Sequence, residues 1–94
     1  MAVATFQVTL LAGITRVQSG SPQIFCKQIM FQNNATHTMR IGDINTSASQ
    51  GMLLATGTPG GAMNSGVSAV NYTYLSDWYV FGTVNDVLDV LYII

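Results

Sequence analysis

The sequence predicts an all-β protein: a single-domain antiparallel β-sandwich, with the jelly roll as one arrangement open to it. Three observations carry that expectation. Apolar and polar residues alternate over short stretches, as in Ala4, Phe6, Val8 and Leu10 against Thr5, Gln7 and Thr9. Clusters of Gly, Asn, Ser and Pro separate those stretches. No segment keeps an apolar helical face over three turns. Seven or eight short strands result, with no internal repeat and no linker dividing residues 1–94.

Taken in order, 3–11 is a strand with one face toward water. Gly13 and Gln18-Ser19-Gly20-Ser21-Pro22 are breakers, and Ile14-Thr15-Arg16-Val17 between them reads as a short edge strand. Residues 24–32 form the next strand. Phe25, Ile29 and Phe31 share one side with Lys27, while Cys26 and Met30 share the other with Gln28 and Gln32. Either both faces are apolar or a bulge shifts the register midway. Asn33-Asn34-Ala35-Thr36-His37 turns the chain by composition. It leads into 38–43, with Met39 and Ile41 inward and Arg40 outward. Met52-Leu53-Leu54-Ala55 follows a polar loop, Gly57-Thr58-Pro59-Gly60-Gly61 is irregular, and 67–74 alternates again.

The last twenty residues stand out. Residues 75–83 and 87–94 are rich in aromatic and β-branched side chains and flank Val84-Asn85-Asp86, the pattern of a β-hairpin. In the second run Leu88, Val90 and Tyr92 alternate to one side. Val87, Leu91 and Ile93 alternate to the other, interrupted by Asp89 alone. A strand with one wet face carries polar residues there. This one is therefore expected to be covered twice, by its own core and by a second sheet or molecule.

Composition bounds the function. The chain is 49% hydrophobic but only 7% charged, and Glu is absent; ordinary soluble domains are about 25% charged. Such a surface suits an assembly in which much of it meets protein. A net charge of −1, with Arg16, Lys27 and Arg40 isolated from one another, argues against nucleic acid as a partner. One cysteine cannot form an intrachain disulfide. No signal peptide is expected, because Met1 leads into a strand-like run with no basic n-region. No apolar run approaches the roughly 20 residues that span a bilayer, so no membrane is expected as a partner.

Residues able to carry chemistry are few. Asp86 and Asp89 are close in sequence, but no second catalytic group accompanies them, and acidic residues commonly punctuate turns. His37 lacks the companions a metal site or a catalytic triad would need. Cys26 falls mid-strand, the usual place of a small buried hydrophobe. A Cys26–His37 dyad is the one enzymatic arrangement to weigh. The glycine-rich stretch at 57–61 has no Gly-Lys-Ser/Thr and no following helix, so it is not a phosphate loop. No catalytic residue, cofactor or metal is expected.

Gln32-Asn33, Met39-Arg40-Ile41-Gly42-Asp43, Gly51-Met52-Leu53-Leu54 with Gly57, the run at 75–83, and Val90-Leu91-Tyr92 occur in that order. Together they resemble small β-sandwich virion structural proteins of tailed bacteriophages, of the capsid decoration (cement) or tail-associated type. Gly42-Asp43 and Gly82-Thr83 are the more telling pieces, and the stretch 57–74 departs from the pattern by enlargement. The resemblance implies a non-enzymatic homo-oligomer, a trimer by analogy, that would be assembled into virions in the host cytoplasm and would bind the major capsid protein or other virion proteins. Trp78, Tyr79, Val87, Leu91 and Ile93 are then the expected subunit contact. The expected capsid contact is either the N-terminal strand or the loop at 57–66, with Gly57, Pro59, Gly60 and Met63 as its candidate residues. A tail fibre or adaptor domain binding host surface glycans is the alternative.

Overall fold

The structure, a computed structural model, describes residues 3–20, 22–54, 66–68 and 72–94. Among these, ten strands and one 3-10 turn occur. They are β1 (Val3–Thr9), β2 (Ile14–Arg16), β3 (Phe25–Cys26), β4 (Gln28–Asn33), β5 (Met39–Gly42), β6 (Met52–Leu54), β7 (Gly66–Ser68), β8 (Thr73–Tyr74), β9 (Tyr79–Phe81) and β10 (Val87–Ile93). The 3-10 turn, Leu75–Asp77, separates β8 from β9.

The strands form two four-stranded sheets, ordered β1-β10-β4-β7 and β2-β9-β5-β6, and a short ribbon β3-β8. Every pairing is antiparallel. With the ribbon set aside, the eight remaining strands wind back and forth between the two sheets: every step from one to the next crosses over except β5 to β6. That is the winding of a jelly roll. The expected sandwich is what the chain forms.

One core fills the space between the sheets. From the first sheet come Val8, Leu88, Val90, Ile29 and Phe31; from the second come Val80, Met39, Ile41 and Leu54. Leu10, Val17, Cys26 and Leu75, from outside the two sheets, belong to the same core. The alternation read in the sequence sets these faces directly. Val8 lies opposite Leu88, Phe6 opposite Val90 and Ala4 opposite Tyr92, so the inward side chains of β1 and β10 meet in pairs.

Three expectations change. The closing stretch is not a hairpin: β9 pairs with β2 and β5, whereas β10 pairs with β1 and β4 in the other sheet. The turn between them is held by the end of β1 instead. The Asn85 N–H donates to the Leu10 carbonyl at 2.8 Å, and the Leu10 N–H donates to the Asp86 carbonyl at 2.8 Å. Asn85 reaches this geometry with φ near 73°, a left-handed conformation that Asn tolerates better than most residues. Second, the strand read over 24–32 is two strands broken at Lys27, and of the two alternatives the sequence left open there, the shift of register is the one found. Phe25 is exposed, while Cys26, Ile29 and Phe31 are all buried, so the register shifts across the break. Third, β7 and β8 belong to different sheets, so the alternation over 67–74 is not one strand.

Candidate functional site

The outward face of the first sheet is built from three adjacent strands. Its rows run across β1, β10 and β4: Val3, Ile93 and Gln28; Thr5, Leu91 and Met30; Gln7, Asp89 and Gln32. Val87, opposite Thr9, begins a fourth. Val87, Leu91 and Ile93 are half-buried there, with a flanking strand on each side. Asp89, the polar interruption, lies between two amides, and Gln7 Nε2 donates to its Oδ1 at 3.0 Å. Thr5, Gln7, Met30, Gln32, Asp89 and Leu91 line an open depression of about 760 Å³. One carboxylate between amides offers hydrogen bonds. It offers no second acid for paired proton transfer.

The two rings expected as anchors part company. Trp78 turns inward: its ring packs 5.2 Å from that of Phe31, and its Nε1–H donates to Thr73 Oγ1 at 3.1 Å. Alternation explains this, since Val80 also points into the core, which leaves Tyr79 and Phe81 outward. Tyr79 lies beneath the Arg16 guanidinium, 5.5 Å from the ring centroid, and Arg16 Nε donates to the Ser76 carbonyl. The outward face of the second sheet thus carries Ile14, Tyr79, Phe81, Leu53, Arg16 and Arg40. Arg40 donates to the carbonyls of Ala48 and Gly51 and so ties down the loop after β5. The expected capsid contacts Gly57, Pro59, Gly60 and Met63 lie outside the described residues.

A third surface joins rings that sequence reasoning did not bring together. Phe25, Tyr72 and Tyr74 form an exposed aromatic group on the β3-β8 ribbon, at 46%, 65% and 40% exposure. Phe25 lies 4.8 Å from Tyr74 and 6.2 Å from Tyr72 between centroids. The available signal was Lys27: a charged residue in the row shared with Ile29 and Phe31 marked the shift that turns Phe25 outward.

Several titratable groups are held in local contacts. Cys26 is fully buried, and burial pushes its thiol above the ordinary value of 9.0. Its Sγ contacts the Ile24 carbonyl at 3.8 Å. His37 pairs with Asp86 instead, Nδ1 to Oδ2 at 2.9 Å, and the histidine is largely exposed. Asp43 organises its own turn: its Oδ1 accepts from the Asn45 N–H, and its carbonyl accepts from Thr46 Oγ1. Among the described residues no three His, Cys, Asp or Glu side chains cluster to hold a metal. Among the described residues no helix is long and apolar enough to cross a membrane.

Comparisons with protein families, with curated proteins and with solved structures found no match for this chain.

Proposed function

We propose that the chain is a virion structural protein of a tailed bacteriophage, a capsid decoration protein that self-associates on the shell and stabilises it. The observation that carries this reading is the outward row of β10. Val87, Leu91 and Ile93, with Val3 and Met30 beside them, form an apolar strip on a sheet face that has Asp89 as its one charged group. Burying such a strip contributes about 25 cal/mol per Å² before association costs. The sequence resemblance supports the virion setting, and jelly rolls recur in capsid proteins. Decoration would act by bridging neighbouring capsid subunits, with the major capsid protein as partner. Tyr79 would serve as the aromatic anchor on the opposite face.

The exposed rings Phe25, Tyr72 and Tyr74 favour a second reading, a tail fibre or adaptor domain that binds host surface glycans through stacking on sugar faces. Immunogold labelling of purified virions decides between them. Labels numbering in the hundreds over the head are the expected result. A few labels confined to the tail would replace the first reading with the second, and unlabelled virions would remove both.

A further inference from the structure

β1 is the long free edge of this fold. Among the described residues no strand pairs with it on the side away from β10, and it runs seven residues. The other sheet edges among the described residues, β2, β6 and β7, are three residues each. An exposed strand edge offers unpaired N–H and C=O groups to another strand, and proteins commonly block it with charge, proline, a bulge or brevity. β1 has none of these. Its sequence, Val-Ala-Thr-Phe-Gln-Val-Thr, holds no charged residue and no proline, and its register with β10 is unbroken from Val3 to Thr9. β2, by contrast, is short and carries Arg16.

A second observation falls on the same edge. Phe6 points toward the core yet is half-buried, and it meets Tyr92 edge-on at 6.0 Å between centroids. The sheet leaves this inward aromatic pair partly open where β1 ends the layer.

We propose that β1 pairs antiparallel with β1 of a second copy, about a twofold axis at Phe6, joining two four-stranded sheets into one of eight. The occupant is a second copy because the strand is complementary to itself. About that axis Val3 faces Thr9 of the other copy, Thr5 faces Gln7, and Phe6 faces Phe6. The two open needs, a ladder of backbone groups and a cover for Phe6, are met together by a strand that carries its own Phe6. The outer side carries only uncharged residues, Val3, Thr5, Gln7 and Thr9, which pair without repulsion. Strand addition supplies main-chain hydrogen bonds, and the side-chain row sets the register. This deepens the self-association proposed above and rests on it, but it assigns the first contact to an edge. The outward faces of the two sheets, each with its β10 strip, then lie on one side of a continuous sheet.

The test uses the full chain. Sedimentation should show a concentration-dependent dimer, and hydrogen exchange should show the amides of 3–9 gaining protection as dimer forms. Thr5→Lys combined with Gln7→Lys places like charges opposite each other and should weaken dimerisation by about tenfold or more. Thr5→Glu combined with Gln7→Lys places opposite charges in the same register and should restore it. Both pairs alter exposed positions, and circular dichroism checks that each variant folds. If self-association survives the lysine pair and the 3–9 amides exchange at one rate at every concentration, edge pairing is overturned while the outward-face contact stands. A chain that stays monomeric at all concentrations, with those amides unprotected, overturns both.

Discussion

At Gly82 a methyl group would lie 2.6 Å from Leu10 Cδ2 and 3.2 Å from Met39 Cγ, both side chains of the filled core. Gly82→Ala is therefore expected to destabilise the fold by about 1–3 kcal/mol, read as a lower urea midpoint with an unchanged slope. Gly42 is similarly confined, its missing Cβ 2.8 Å from Thr46 Oγ1 within the turn that Asp43 organises. Both glycines belong to the short motifs that stand out in the sequence, and both mark places with no room for a side chain. Cys26 gives a pH prediction. Its native thiol is raised by burial, so above the ordinary value of 9.0 the unfolded chain loses a proton that the native chain keeps. Stability should fall as pH rises through that range, and Cys26→Ala should show a shallower alkaline decline. Denaturant titrations of both proteins at pH 8 and pH 10 measure the difference; equal declines would contradict it.

Within β10, side chains two residues apart share a face and neighbours oppose, so adjacent substitutions should part in their effects. Leu88→Ala removes a fully buried side chain and should cost about 2–5 kcal/mol. Leu91→Asp alters the half-buried outward row. It should leave the thermal midpoint within a few degrees of wild type while reducing self-association by sedimentation. Outright unfolding of Leu91→Asp would assign that row to the domain's own core. Inward and outward faces of β1, β5 and β10 were legible because period-two alternation is local. Pairing was not. Two apolar runs around Asn-Asp look the same whether they fold back on each other or cross to opposite sheets. What decides is where Leu10, seventy-odd positions upstream, finds partners for its backbone groups. Trp78 likewise turns inward because it follows the phase of Val80, which a list of aromatic residues does not convey. The side that Phe25 takes stayed open in the sequence, because one bend at Lys27 decides it.

Across the whole molecule, charge is too sparse to organise contacts. Three basic and four acidic side chains give a net −1, and the ion pair found among the described residues joins an exposed histidine to Asp86. Association through apolar faces and a backbone ladder should therefore persist or strengthen as NaCl rises from about 0.05 M to about 1 M, because salt screens charge but not apolar burial. A steep loss of oligomer with salt, by light scattering, would point to charged contacts instead. The winding of the strands has a further consequence. Val3 lies beside Ile93, and β10 fills the place between β1 and β4. During synthesis, then, β1 waits for its partner until residues 87–93 have been made, and a nascent chain stalled short of that point has a gap between β1 and β4. Premature release should yield material captured by chaperones or lost to aggregation rather than a smaller folded form.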